Sequence, residues 1–125
     1  MHHVSWFEIP TVDIDRSQQF YEAIFDTKLI MMDNPAIKMR MFPVADMMND
    51  TTGALVYHPD FYQPSGTTGC LIYLNANPDL QIVLDRINAN GGTILVPKTQ
   101  ISDEYGFMAV FSDTEGNRVA LHSVQ

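Results

Sequence analysis

The chain has a single cysteine among its 125 residues, and it has few basic residues. One cysteine cannot form a disulfide within the chain, so the fold must be held by its core and its hydrogen bonds. Basic residues number 7 against 15 acidic ones, which gives a formal net charge of −8. This charge repels phosphate backbones and argues against nucleic acid as a partner. It weakly favours a cationic small molecule, although acidic charge often serves only solubility.

Long apolar runs are also missing, and none approaches the roughly 20 residues that a membrane-spanning helix needs. The first residues show no basic region followed by an apolar stretch, which is the pattern of a secretory signal peptide. We therefore expect no membrane partner and a cytoplasmic location. The content of 46% hydrophobic and 18% charged residues allows an ordinary globular core. The length predicts one domain, residues 1–125.

The first half of the chain predicts a strand, a helix and three more strands. The strand is the β-prone run at residues 4–10, and the helix covers about residues 15–25 with one apolar stripe. Asp13 and Asp15 suit the N-cap or the first turn of this helix. The later strands are predicted at residues 28–32, 38–43 and 53–58.

The second half repeats this order after residues 59–68, a segment with two prolines and a glycine that we interpret as a linker. A strand at residues 69–76 leads to a helix with Asn77 as the predicted N-cap and Pro78 at its first position. Glycines at 91 and 92 end this helix. The remaining strands are predicted at residues 93–96, 106–111 and 118–123, with a hairpin turn at 113–117.

Three stretches of the chain form an ordered set. They are residues 12–17 with Phe20, Tyr21 and Phe25, then residues 87–92, and finally residues 111–119. Together they resemble the vicinal oxygen chelate superfamily of glyoxalase I, bleomycin-resistance proteins and extradiol dioxygenases, and residues 6–10 resemble members related to lactoylglutathione lyase. The resemblance implies an α+β fold, in which two tandem βαβββ modules form a curved mixed sheet. This sheet would be an open cup with the helices outside. Module one is expected at about residues 1–60 and module two at about 68–125, with residues 102–107 as a loop near the mouth.

The resemblance also identifies where a metal would be held. In metal-dependent relatives four strand positions place His or Glu side chains on one ion, and these correspond here to Trp6, Tyr57, Cys70 and Ala120. An indole and a methyl group cannot bind a metal, and one tyrosine or cysteine rarely does so alone. If the alignment of the strand that contains Tyr57 is shifted by one residue, His58 takes the place of Tyr57, and one histidine does not make a metal site. We therefore expect a metal-free protein with no cofactor.

Strand alternation predicts the lining of the cup, because side chains two residues apart share a face. The residues assigned to ligand binding on this basis are Trp6, Glu8, Leu55, Tyr57, Cys70, Ile72 and His122. Leu74 is predicted on the same face as Cys70. The opposite face, predicted to pack on the helices, carries Phe7, Ile9, Leu71, Tyr73, Val119 and Leu121.

Glu8 is the most informative of these residues, since a carboxylate between Phe7 and Ile9 is costly to bury unless it is paired or neutralised. It fits a ligand anchor or a general base. It equally fits a structural partner of Arg118, Arg40 or backbone amides.

Three functions remain open from the sequence. The first is a metal-independent small-molecule binding protein of the glyoxalase/bleomycin-resistance type, with an aromatic or cationic ligand in the cup. The second is a metal-free lyase or isomerase in which Glu8 acts with His122 or Tyr57; Glu8 and His122 are the catalytic candidates. The third is an accessory interaction domain with a collapsed cup. Relatives commonly associate through sheet edges, which need covering, so we expect a homodimer.

Overall fold

The computed structural model describes residues 3–125 and contains two modules with the same order of elements. Module one consists of β1 (Trp6–Pro10), α1 (Ile14–Phe25), β2 (Ile30–Met31), β3 (Lys38–Met41) and β4 (Thr52–Tyr57). Module two consists of β5 (Tyr73–Asn75), α2 (Leu80–Leu84), β6 (Thr93–Ser102), β7 (Gly106–Ser112) and β8 (Arg118–Ser123). A short 3-10 helix at Asn88–Asn90 follows α2. The predicted α+β class with tandem βαβββ modules is confirmed.

Each module forms its own four-stranded mixed sheet. In module one the strand order is β1-β4-β3-β2, with β1 parallel to β4 and the other neighbours antiparallel. Module two repeats this arrangement as β5-β8-β7-β6, with β5 parallel to β8. Strands β1 and β5 are therefore edge strands at equivalent positions of the two sheets, and β2 and β6 are the opposite edges.

The local sequence explains where α1 begins and ends. Asp13 caps the helix, because its Oδ1 accepts a hydrogen bond from the Arg16 amide at 3.1 Å. The helix ends at Phe25, and its C-cap, Asp26, adopts a left-handed conformation with φ of 50°. Phe20 and Tyr21 lie on the buried face of the helix.

Helix α2 begins later than predicted, and its N-cap is Asp79 rather than Asn77. Asp79 Oδ1 accepts a hydrogen bond from the Gln81 amide at 2.9 Å. The Asn77 side chain is used elsewhere, since its Oδ1 accepts a hydrogen bond from the Val124 amide at 2.8 Å. Asn77 thus anchors the chain beyond β8, and Pro78 lies outside the helix.

One hydrophobic core is shared by the two modules. From α1 in module one, the rings of Phe20 and Tyr21 lie 5.9 Å and 6.4 Å from the ring of Phe111 in β7 of module two. Leu55 of β4 and Leu121 of β8 are both fully buried in the same cluster. The sheets therefore present one face to this shared core, and we call the opposite face of each sheet its open face.

The connection between β6 and β7 is shorter than predicted. Strand β6 continues to Ser102 and β7 begins at Gly106, which leaves a turn of three residues, 103–105, instead of a loop at the mouth. The Tyr105 amide donates a hydrogen bond to Ser102 Oγ at 2.9 Å, which closes this turn. A tight hairpin of this kind is a poor lid.

The turn between β7 and β8, residues 113–117, attaches module two to the start of α1, and we call it the clasp. Glu115 accepts hydrogen bonds from the amides of Val12 and Asp13, at 2.8 Å and 2.7 Å, and from Arg16 Nε at 2.8 Å. Its side chain is completely buried. Burial opposes ionisation of Glu115, but the hydrogen bonds from Arg16 and the backbone outweigh it and lower its pKa.

Asp113 organises the clasp from inside. It accepts hydrogen bonds from the Tyr21 hydroxyl at 2.8 Å and from the amides of Glu115 and Asn117, both at 2.9 Å. Asn117 Nδ2 donates to Asp113 at 3.0 Å and also to the carbonyl of Pro10 at 2.7 Å. Burial raises the pKa of Asp113, because the charged form is desolvated there.

Candidate functional site

Glu8 lies in the middle of β1, and two aromatic side chains hold its carboxylate. Trp6 Nε1 donates a hydrogen bond to Glu8 Oε2 at 3.2 Å, and the Tyr62 hydroxyl donates one to Oε1 at 2.5 Å. Trp6 reaches Glu8 because the two residues share a face of the strand. Tyr62 comes from the segment between the modules. The hydrogen bond to Glu8 raises the pKa of Tyr62, which keeps the phenol as the donor.

A cleft of about 240 Å³ opens beside Glu8, between β1 and the start of β8, and we call it the Glu8 cleft. Cys70 and Ile72, from the chain that leads into β5, line the same space. Arg118 lines it too, and its guanidinium makes no hydrogen bond or ion pair with residues 3–125. The remaining lining residues are Ile9, Pro10, Gln63, Ser65, Thr68, Gly69, Asn117 and Val119. The cleft therefore combines a fixed carboxylate with an uncommitted guanidinium.

Tyr62 also packs on the open face of module one. The buried residues of this face are Met41, Ala54 and Val56, and Trp6 and Tyr62 pack against them, together with Ile37 and Met39. The segment between the modules thus fills part of the space that an open cup would leave empty. Tyr62 was not predicted from the sequence, because a contact across 54 residues leaves no local signal.

The side chains of strand β4 point to the opposite faces from those predicted, which corresponds to a shift of one residue. Ala54 lies opposite Glu8 and Leu55 lies opposite Ile9, so Leu55 and Tyr57 are on the core side and not on the face of Glu8. The prediction failed because residues 52–56 are all buried, and an apolar run buried on both faces has no alternation.

The same error occurs near β5. Leu74 lies opposite Leu121 in the shared core, whereas Tyr73 lies opposite Ala120 on the open face. The predicted faces of Leu74 and Tyr73 are therefore exchanged. Cys70 and Ile72 precede the three-residue strand, where strand alternation does not apply. Cys70 is exposed and Ile72 packs against the core, although both line the Glu8 cleft.

The structure does not bring the proposed catalytic partners to Glu8. His122 lies on β8, and its Nε2 is hydrogen-bonded to the carbonyl oxygen of Tyr105 at 2.6 Å. Within the described chain, no hydrogen bond links Glu8 to His122, Tyr57 or either proposed arginine. Arg40 is engaged elsewhere, since its Nε donates to Gln18 at 2.8 Å and its Nη1 to Asp33 at 2.6 Å.

The donors needed for a metal ion are not assembled in the part of the chain that the structure describes. No group of three His, Cys, Asp or Glu side chains in residues 3–125 is placed to hold an ion. Trp6 and Ala120 supply no donor, and Tyr57 lies on the core side of β4. His58 Nδ1 accepts a hydrogen bond from the Asp60 amide at 3.3 Å.

We therefore predict that the protein binds no divalent metal tightly, because a stable site needs several converging nitrogen, sulfur or carboxylate donors. Elemental analysis should be carried out on protein purified without an affinity tag. The expected result is no stoichiometric zinc, nickel, iron or manganese. About one equivalent of any of these metals per chain would contradict the prediction.

No helix in residues 3–125 has the length and apolar character needed to cross a bilayer.

Comparison with known proteins relates the whole chain to one family. The family model for the Glyoxalase/Bleomycin resistance protein/Dioxygenase superfamily matches residues 1–121. A glyoxylase-like domain-containing protein from Didymella fabae is 27% identical over 121 residues, which cover 94% of this chain and 91% of that protein.

Solved structures show the same fold at low sequence identity. Glyoxalase I from Zea mays superimposes with a TM-score of 0.69 at 18% identity, over 96% of this chain and 44% of that one. The chain thus spans less than half of the maize enzyme. An antibiotic binding protein from a Streptomyces species gives a TM-score of 0.68 at 22% identity, over 98% and 96% of the two chains. With the family model covering nearly every residue, the chain belongs to the Glyoxalase/Bleomycin resistance protein/Dioxygenase superfamily.

Proposed function

We propose that this chain binds a small organic molecule without a metal ion, and that the ligand lies in the Glu8 cleft. The observation that carries the proposal is that a carboxylate and a guanidinium line the same cleft. Glu8 is oriented by Trp6 and Tyr62, and the Arg118 guanidinium has no ion-pair partner among the described residues. Small-molecule sites usually combine apolar walls with a few placed polar groups. Family membership and the likeness to an antibiotic binding protein support ligand binding.

The chemistry of the cleft favours a ligand that carries an amine. An ionised carboxylate has about four acceptor positions, and the hydrogen bonds from Trp6 and Tyr62 use two of those of Glu8. The free positions suit a protonated amine, and the net charge of −8 attracts cations. Arg118 suits an acidic or carbonyl group on the same ligand.

A metal-free lyase or isomerase is less well supported. General acid–base catalysis needs the reacting groups within hydrogen-bonding reach of one substrate. His122 is bonded to Tyr105, and Tyr57 lies on the core side of its strand. An accessory domain with a collapsed cup is favoured by Tyr62, which packs on the open face of module one, but the space beside Glu8 and Arg118 favours a ligand.

We also propose that the protein acts as a cytoplasmic homodimer. The outer edges of β2 and β6 pair with no other strand among residues 3–125, and such edges are commonly covered by another chain. In this dimer the contact between the two copies would be formed by sheet edges.

Titration of Trp6 fluorescence with 4-aminoquinoline tests the binding proposal. Trp6 is the single tryptophan of the chain and donates directly to Glu8, so its emission should change saturably. Glu8→Gln is expected to weaken binding by about 1–3 kcal/mol, the usual cost of a lost charge-assisted hydrogen bond. Glu104→Gln, at an exposed turn position, is the matched control and should leave the affinity unchanged.

A purely structural Glu8 would give a different result. Glu8→Gln would then lower the urea midpoint of unfolding, and the affinity for 4-aminoquinoline would equal that of the Glu104→Gln control. That pattern would overturn the assignment of the cleft.

A further inference from the structure

A second cleft, of about 320 Å³, lies on the core side of β1 near the C-terminal end of α1. Phe7, Phe25 and Phe42 line it together with Leu74 of β5, and we call it the phenylalanine cleft. It involves neither Glu8 nor Arg118. It lies beside a wider space of about 890 Å³, and Phe7 and Leu74 line both.

The aromatic walls of this cleft are preformed but incompletely covered. The rings of Phe7 and Phe42 lie 5.8 Å apart, and Phe42 packs edge-on against Tyr21 of α1 at 5.6 Å. All three phenylalanines are nevertheless only half-buried. Covering apolar surface of this kind is favourable, so a molecule that fills the cleft gains from rings that are already in place.

The polar groups of the cleft define the charge of the occupant. None of its lining residues is charged. The hydroxyls of Thr51 and Thr52 are committed, since they donate to the carbonyls of Val4 and Phe42 at 2.8 Å and 2.7 Å.

Two donors remain for an occupant. Within residues 3–125, the Thr27 hydroxyl and the Asn75 side-chain amide donate no hydrogen bond, and both residues line the cleft. A neutral molecule with a hydrogen-bond acceptor matches this combination, whereas an ion would be desolvated without a partner.

We propose that the phenylalanine cleft is a second binding site, which takes a neutral aromatic molecule carrying a hydrogen-bond acceptor such as a carbonyl. Its volume falls within the range of about 300–1,000 Å³ that is usual for small-molecule sites. This site goes beyond the proposed function, because the Glu8 cleft selects by charge and this one selects by apolar shape.

The test uses prodan, an uncharged naphthalene ketone whose emission shifts to the blue in apolar surroundings. We expect a saturable blue shift with the wild-type protein. Thr27→Trp fills the cleft without removing a core side chain, and it should weaken prodan binding at least tenfold. Val12→Trp adds the same ring at an exposed position outside the cleft and should leave the affinity unchanged. If Thr27→Trp does not fold, Val44→Trp fills the same cleft from another side.

Three results would overturn this proposal. Unchanged binding by the filled variants would place prodan elsewhere. Loss of binding in Glu8→Gln would assign prodan to the Glu8 cleft. Conversion of a dimer to monomers by Thr27→Trp, measured by light scattering, would make the cleft a contact between two copies of the chain. Failure of 4-aminoquinoline to bind would leave these outcomes unaffected, so the two proposals fail separately.

Discussion

Gly53→Ala is expected to lower the free energy of unfolding by about 3 kcal/mol or more, or to prevent folding altogether. Gly53 in β4 lies opposite Phe7 in β1. A Cβ at Gly53 would overlap the carbonyl oxygen of Phe7 and come within 2.5 Å of its Cγ. A backbone carbonyl cannot rotate away as a flexible side chain can, so the two parallel strands would have to separate. Urea denaturation followed by circular dichroism measures the effect.

Gly116→Ala provides the control for this substitution. Gly116 has a φ of 87°, and nothing lies within 4 Å of an added Cβ. Alanine there pays only for the left-handed conformation, which costs about 1–2 kcal/mol. A loss for Gly53→Ala no larger than that for Gly116→Ala would contradict the close approach of β1 and β4.

Asp113→Ala should destabilise the protein by about 3–5 kcal/mol, because it leaves several buried donors without an acceptor at a cost of about 1–3 kcal/mol each. The donors are the Tyr21 hydroxyl, Asn117 Nδ2 and the amides of Glu115 and Asn117. Thermal and urea unfolding at pH 7 both report the loss.

Two further variants test whether the stability effect of Asp113→Ala is specific to the clasp. Asp103→Ala removes a carboxylate from the exposed β6–β7 turn, where it accepts from Gln100 at 3.1 Å, and it should change stability by less than about 0.5 kcal/mol. Tyr21→Phe removes one hydrogen bond to Asp113 and should cost about 1 kcal/mol. Equal effects of Asp103→Ala and Asp113→Ala would show that the clasp does not join the modules.

The order of the elements could be predicted from local signals. Asp13 marks the start of α1, and Arg118–Ser123 is a strand with the predicted bounds. Strand β6 is longer than the predicted residues 93–96 and runs through Pro97. Proline has no N–H to donate, and an edge strand tolerates this on the side that pairs with no other strand. Strand β6 therefore continues to Ser102.

The candidate site could be predicted only in part. Glu8 stands out because a carboxylate between two apolar residues needs a partner. The partner itself, Tyr62, depends on how the segment between the modules folds back onto β1. The faces of Leu55 and Leu74 could not be predicted, since β4 is buried on both sides and β5 has only three residues. Contacts that form only when the two modules meet leave no trace in either half of the sequence.

The shared core also affects how the protein unfolds and is degraded after damage. Neither module has a complete interior, because Phe20 and Tyr21 of one need Phe111 of the other, and Glu115 closes the start of α1 from across the boundary. A half-length fragment would expose the surface that its missing twin normally covers. We therefore expect the two halves to unfold together in one cooperative transition. In a cell, damage that unfolds one half would then expose the other half to proteases as well.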